Sequence, residues 1–369
     1  MKSNRKKKKA NRWLFIIPVA ILAVVLIAGG SYVSSLLNLV EKDDYSGNMQ
    51  LDESDIFEPD DYVTTTTAST AEPTSPSGGP LPTKPGGTVA TTQPIETTVD
   101  PLIEIIANIE NEQANLKMIG DKQVYNILLI GTDNRGNELN GRSDTMMILS
   151  VNKRTDEIHI VSLMRALYVK IPGKGYSMIN AAFSWGGASL LIKTIEENFK
   201  IPIHDYILIN FNGFIEAIDT IGGVDISLSE AESEYLNKIY GKGVFSAGMN
   251  RLDGSQALAY ARIRKIDSDF TRTGRQRAVI DALIRRIRSM SLGELDGLAR
   301  QILPLVRSSR SGSSLLGLIT DAYSWRNYTV KQLLIPVSNS MDLIIVRGAQ
   351  MYRFDVTTNV EKLQAFLYY

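Results

Sequence analysis

The sequence predicts an α/β fold, a central mixed sheet flanked by helices, preceded by one transmembrane helix and a disordered spacer. Three observations carry that prediction. Short apolar runs closed by Gly, Pro, Asn or Asp alternate with helix-periodic segments across residues 122–369. An uncharged, mostly apolar run fills residues 13–40. A Thr-, Pro- and Ser-rich acidic stretch separates the two.

The 369-residue chain has no net formal charge, but the charge is unevenly placed. Residues 1–12 hold seven Lys/Arg and no acid, and residues 41–121 hold three Lys/Arg against sixteen Asp/Glu. That leaves 30 basic and 24 acidic residues for 122–369, a balance that favours an anionic ligand. A bilayer core needs about 20 apolar residues of helix. The basic cluster before the apolar run places residues 1–12 in the cytoplasm, residues 13–37 across the membrane and the remainder outside. A cleaved signal peptide ending at Ala28-Gly29-Gly30-Ser31 is the competing reading. Continuation of the run through Leu36, Leu37 and Val40 favours an uncleaved anchor. Residues 38–100 cannot bury enough apolar area to offset ordering entropy, so an extended spacer is expected there. The chain has no Cys, which excludes thiolate metal sites and Cys nucleophiles and leaves an outside domain to be stabilised by its core alone.

Residues 101–121 read as an accessory helix, with Leu102, Ile105, Ile106 and Ile109 at helical spacing. Strands follow at 124–130, 145–151, 157–163 and 167–171, the first stopped by Gly131-Thr132-Asp133 and the last by Pro172-Gly173. A helix at 189–199 follows the Gly186-Gly187 break. Next come a strand at 206–211, a helix at 213–221 ended by Gly222-Gly223, and a strand at 224–228. Asp253 is a plausible cap for a helix at 255–261. A long helix is expected at 273–290, capped by Asp269 or Thr271, with further helices at 295–306 and 315–323 and short strands at 331–337 and 343–346.

Three constellations could carry chemistry. Asp133 lies just past one strand and Asp144 just before the next, so antiparallel pairing would bring both to one sheet edge, where two carboxylates suit Mg²⁺. An ordinary hairpin loop explains the same residues. Arg165 ends the strand at 157–163 and matters only if it faces that same edge; otherwise it is a surface residue. Between Arg251 and Arg288 lie nine Arg and one Lys, a bias toward the planar fork that grips phosphate oxygens. Arg262 and Arg264 share a face if the segment is extended. Arg272, Arg275 and Gln276 fall at i, i+3, i+4 on a helix whose N-terminus would favour an anion. Arg285, Arg286 and Arg288 read as a solvated face. The chain has no GxSxG, P-loop or HExxH motif, and only two His; His159, within an apolar strand, reads as a satisfied core residue. No aromatic stacking motif accompanies the Arg residues, so nucleic acid is not an expected partner.

Taken in order, the stretches NILLIGTDNR, GRSDTMMILSVN, IHIVSLMRALYVKIPGKG, MINAAFSWGG, INFNGFIEAIDTIGGVDI and LDGSQALAYARIR through RQR resemble the LytR-CpsA-Psr (LCP) family. The resemblance implies that residues 122–369 are an extracellular catalytic domain. It implies a phosphotransferase that moves a cell-wall glycopolymer from a polyprenyl-diphosphate carrier to a peptidoglycan hydroxyl at the membrane surface. The implied cofactor is Mg²⁺, with Mn²⁺ as an alternative. By match to the family's motifs, Asp133 and Asp144 are implied as the carboxylates around the metal. Arg142, Arg165, Arg262, Arg264, Arg272 and Gln276 are implied as the diphosphate-binding set, with Asp144, Arg165, Arg262 and Arg264 carrying the reaction. Asp269 and Arg275 fall near the site. Asp144 is the expected base if it is not tied to the metal. The polyprenyl chain would lie in a tunnel between sheet and helices, for which Leu191, Ile195, Leu283 and Ile287 are candidates alongside ordinary core. One departure stands out: where the family usually has Pro-Arg-Asp, this chain has Met164-Arg165-Ala166. Loss of that acid keeps open a non-catalytic receptor or regulator, and diphosphate hydrolysis stands as a third alternative.

Overall fold

A computed structural model describes residues 101–133, 143–264, 266, 268–309 and 323–369. The expected basic tail, transmembrane helix and spacer, residue Arg142 and nearly all of the helix expected at 315–323 lie outside the described residues. Among the described residues no helix is long and apolar enough to cross a membrane.

The elements in chain order are α1 (Pro101–Asn115), β1 (Val124–Thr132), β2 (Ser143–Asn152), β3 (Glu157–Leu163), β4 (Tyr168–Ile171), β5 (Gly175–Met178), α2 (Ile179–Phe199), β6 (Asp205–Asn210), α3 (Phe211–Thr220), β7 (Val224–Leu228), α4 (Glu230–Tyr240), β8 (Gly248–Leu252), α5 (Gly254–Ala261), α6 (Asp269–Arg288), α7 (Leu292–Ile302), β9 (Val306–Ser308), β10 (Thr329–Ile335), β11 (Met341–Val346), β12 (Ala349–Phe354) and α8 (Val356–Tyr368). Among the described residues six strands form the central sheet, in the order β10-β3-β2-β1-β6-β9. β1 runs parallel to β6 and β3 parallel to β10, while β2 is antiparallel to both β1 and β3, so the sheet is mixed. Hairpins β4–β5 and β11–β12, and the antiparallel pair β7–β8 joined through α4, sit outside it.

Both faces of the sheet are covered, which is why β1 reads as a near-continuous apolar run rather than an alternating one. Alternation still decides which residue goes where. Leu128, Ile130, Met146, Ile148 and Leu208 face the main core, built with Leu191 and Ile195 of α2 and Val360, Leu363 and Leu367 of α8. Leu129, Gly131, Thr145, Met147, Ile207 and Ile209 face the opposite side, toward α3, α5 and α6. They are in register: Leu129 pairs with both Met147 and Ile207, and Gly131 with both Thr145 and Ile209. A second core joins α3, β7, α4, β8, α5 and α6 through Ile218, Leu236, Leu252, Ala257, Ile263 and Val279.

Helix boundaries differ from expectation where caps decide them. α2 begins at Ile179, ten residues earlier than expected, and passes through Gly186-Gly187 as a kink rather than starting after it. Gly187 takes φ 60°, which a Cβ would oppose, so the glycines bend the helix without ending it. α6 begins at Asp269 because Ser268, not Asp269 or Thr271, accepts the N-terminal hydrogen bond, from Thr271 N. Asp253 does cap α5, in a reciprocal box with Gln256. Helices α4 and α8 and strands β5, β8 and β12 were not anticipated. For α4 the signal was present: Ser229 and Glu232 form a capping box, the Ser-x-x-Glu pattern of a helix start.

α5 and α3 cross in close contact at Gly254, where a Cβ would lie 2.2 Å from the Ile215 carbonyl oxygen. Gly254→Ala is therefore expected to destabilise the fold by about 1–3 kcal/mol, as overpacking does, measured as a lower midpoint in chemical denaturation.

Candidate active site

A cavity of about 890 Å³ lies between the sheet and helices α3, α5, α6 and α7. Its body is apolar, lined by Leu129, Ile207, Phe214, Leu258, Ile280 and Ile302 among others. Its charged and amide lining is Asp133, Asp144, Arg165, Asn210, Arg262, Arg264, Arg272 and Gln276. Seven of these eight were singled out from the sequence.

Local folding explains how they converge. The β1–β2 register slips between Gly131 and Thr132, which pair with Thr145 and Ser143 and leave Asp144 as the extra residue. Such a bulge breaks the alternation, so the consecutive residues Asp144 and Thr145 both line the cavity. Asp133 follows β1 directly and lines it too. Arg165 sits in the turn after β3, where its carbonyl accepts from Asn180 N (3.3 Å) and the Ala166 carbonyl from Tyr352 N (2.8 Å). Arg262 terminates α5 and Arg264 follows one residue on. Ile263 between them is wholly buried, and both arginines line the cavity although Arg262, at φ −101° and ψ 0°, closes the helix and is not extended as expected. The Arg262 guanidinium stacks over Phe211, 4.5 Å from the ring centre. On α6, Arg272, Gln276, Val279, Ile280, Leu283 and Ile287 form the stripe facing the cavity.

The charges form a chain. Arg165 Nη1 lies 3.0 Å from Asp144 Oδ1, and Arg264 Nη2 lies 3.7 Å from the same oxygen. Arg165 Nε is 3.8 Å from Asp269, and Asp269 is 2.9 Å from Arg272 Nη2. Asp269, expected only near the site, is thus part of the network. It also gives Arg165 a second carboxylate despite Ala166. Arg272 is the unusual member. Its side chain is 2% exposed, and its Nε and Nη1 find no hydrogen-bond partner among the described residues. Burial pushes its pKa down to about 10; Asp269 opposes the fall, and the nearby Arg165 and Arg264 add to it. A buried cation with donors to spare is what an anion site looks like before its anion arrives. Asp133 and Asp144 are the carboxylates in the lining. Among the described residues no cluster of three or more acidic or His side chains could hold a metal by itself. Two carboxylates fit Mg²⁺, which takes its remaining ligands from phosphate oxygens and water.

Several expectations need correction. Arg275 does not face the cavity. It sits about 100° round α6 from Gln276; its side chain is buried against Glu232, Nε to Oε1 at 2.6 Å. Leu191 and Ile195 belong to the core on the opposite face of the sheet, whereas Leu283 and Ile287 line the cavity. Of the three C-terminal arginines of α6, only Arg285 is an exposed residue, paired with Asp281. Arg286 and Arg288 are half-buried and donate to the Ile221 and Tyr328 carbonyls, tying α6 to its neighbours. His159 is buried; its Nε2 meets Glu157 at 3.0 Å, but its Nδ1 has no partner among the described residues. Asn210 was missed from the sequence. Its position at the strand–helix junction β6–α3, where it caps α3 by accepting from Gly213 N, was the available signal.

Because Arg272 carries a depressed pKa in the folded state, its burial cost is fully present at neutral pH and lifts only as pH rises past about 10. Asp269 keeps Arg165 as a counter-charge when Arg272 is removed. Arg272→Met is therefore expected to raise the melting temperature at pH 7 while weakening binding of inorganic diphosphate, checked by paired thermal melts and calorimetric titration.

Comparison with known proteins agrees with this architecture. The chain is 42% identical over 179 residues to the polyisoprenyl-teichoic acid–peptidoglycan teichoic acid transferase TagU of Oceanobacillus iheyensis, covering 46% of this chain and 54% of that protein. It is 34% identical over 204 residues to the protein of the same name from Enterococcus faecalis, covering 53% of this chain and 64% of that one. The match therefore spans less than two thirds of either relative. Among solved structures, that of TagT bound to LI-WTA superposes with a TM-score of 0.57 at 27% identity, covering 68% of this chain and 93% of that one. A family model matches residues 96–366. By that match the chain belongs to the LytR_cpsA_psr family.

Proposed function

We propose that the protein is a membrane-anchored phosphotransferase that moves a cell-wall glycopolymer from a polyprenyl-diphosphate carrier to a peptidoglycan hydroxyl. One observation carries the reading. A single lining joins an apolar body to four arginines, one of them buried with two donor nitrogens that have no partner among the described residues. An amphiphile with a diphosphate head and a long hydrocarbon tail matches both halves. The names of the two relatives favour teichoic acid as the polymer and peptidoglycan as the acceptor. The span at residues 13–37, with residues 1–12 in the cytoplasm and the spacer 38–100 outside, would hold the catalytic domain 122–369 near such a carrier in the lipid bilayer. Nucleic acid has no part in this reading.

In the proposed reaction the acceptor hydroxyl oxygen bonds to the sugar-linked phosphorus. The bridging P–O bond breaks, polyprenyl phosphate leaves, and the hydroxyl proton passes to a base. Charge moves onto the departing phosphate, so preorganised donors there lower the barrier. Arg165, Arg262, Arg264 and Arg272 supply those donors, and Gln276 adds a neutral one. Arg142 would join them. Mg²⁺, or Mn²⁺ in its place, would be held by Asp133 and Asp144 with the phosphates and would neutralise diphosphate charge when bound. Asp144 is the carboxylate to take the proton if Asp133 alone holds the ion. Asp269 keeps a carboxylate on Arg165 where the family usually has an acid at position 166, which favours an active enzyme over a receptor.

The test is transfer by the full-length protein in detergent micelles, with lipid-diphosphate-linked glycan, peptidoglycan fragments and Mg²⁺. Arg262→Ala and Arg264→Ala are each expected to lower transfer by about 10²-fold or more without changing circular dichroism. Full transfer in both variants would refute the assignment. Binding without turnover would mark a receptor, and release of polyprenyl phosphate without acceptor a hydrolase. Chelation with EDTA is expected to abolish transfer, and Mg²⁺ or Mn²⁺ to restore it.

A further inference from the structure

We propose that Arg275 and Glu232, which lie outside the cavity, are positioning residues that aim Arg262 and Arg264 at the phosphates; this rests on the diphosphate reading above. Arg275 holds two acceptors at once. Its Nε donates to Glu232 Oε1 at 2.6 Å and its Nη1 to the Ile263 carbonyl at 3.1 Å. Ile263 is the residue between the two cavity arginines. Its side chain is wholly buried in the second core, and its carbonyl lies past the end of α5, where helical partners run out. Arg275 thus fixes the backbone of the segment from above while the Ile263 side chain fixes it from below. Only the flanking side chains, Arg262 and Arg264, are left to face the cavity.

Glu232 fixes Arg275 in turn. Its Oε2 accepts from Ser229 N in the α4 capping box, so one carboxylate joins the start of α4 to the middle of α6. Tyr260, one turn before Ile263, shares this environment; burial first and then the Glu232 charge push its pKa up to about 12, against a smaller opposing effect of Arg275. The pair is costly to bury, at 3% and 11% side-chain exposure. A buried ion pair is weak evidence of stabilisation, because apolar packing of equal volume commonly does as well. What apolar packing cannot do is hold a carbonyl in one place. A guanidinium can, because its donors are rigidly spaced.

The test uses the full-length protein in detergent micelles, inorganic diphosphate as probe and calorimetric titration as readout. Arg275→Lys keeps a positive charge beside Glu232 but loses the rigid fork. It is expected to weaken diphosphate binding about tenfold. In a background carrying both Arg262→Ala and Arg264→Ala, Arg275→Lys is expected to cause no further loss, because the side chains it aims are gone. A general loss of structure would persist in that background, so the cycle separates positioning from damage. Should Arg275→Lys lower the melting temperature, Glu232→Gln decides: it keeps acceptors for Arg275 and Ser229, and is expected to give a smaller loss that also vanishes in the double-alanine background. Wild-type affinity in both variants, or losses that add in that background, would overturn the proposal. If the double-alanine protein itself binds diphosphate as the wild type does, the phosphate reading fails instead.

Discussion

Four guanidinium groups share one cavity mouth, and the repulsion among them is the constraint to which much of the structure answers. At the separations within a cavity, like charges in a partly desolvated site push one another strongly apart. Asp144 and Asp269 are interleaved among Arg165, Arg264 and Arg272, so that carboxylates and guanidiniums alternate along the network, while Arg262 stacks on Phe211. The backbone answers as well: the Arg165 turn is held by Asn180 and Tyr352, and the Arg262–Arg264 segment by the buried Ile263. The balance is incomplete at Arg272, where burial prevails over its ion pair with Asp269. Among the described residues two of its donor nitrogens have no partner, and a doubly anionic head group would supply acceptors for them.

How much of this was legible in the sequence depended on the range of the interaction. Strands β1, β2, β3 and β6 could be placed because apolar runs between turn residues are a local signal. The cavity residues on α6 could be placed because helical spacing is local too. Arg275 could not be separated from Gln276 by spacing alone. What decides is Glu232, which lies on another helix 43 residues away and draws Arg275 out of the cavity face. Leu191 and Ile195 failed for a similar reason: an apolar helix does not record which face of the sheet it covers. Both faces are apolar here, one as core and one as cavity. Asp269 was underestimated because its importance comes from meeting Arg165, a contact that no spacing encodes.

The two faces of the sheet show how one set of strands serves two tasks. Even-numbered Leu128, Met146 and Ile148 seal the main core; odd-numbered Leu129, Gly131 and Met147 line the cavity. Strand alternation therefore keeps stability and binding on separate residues, although they are adjacent in the chain. The same division holds on α6, where Arg272 and Gln276 face the cavity and Arg286 and Arg288 tie the helix to surrounding carbonyls.

The bulge between Gly131 and Thr132 has a consequence for how such a site can vary over time. An extra residue in one strand of a ladder shifts the face of what lies beyond it, yet leaves the register on its other side unchanged. From Thr145 onward β2 pairs with β1 without interruption, so the core is fixed there. Asp144 and Ser143 lie on the free side of that joint. A change at Asp144 can alter what the cavity presents without re-dealing the side chains of the core. The bulge works as a seam between a part of the molecule that must stay constant and a part that is free to diversify.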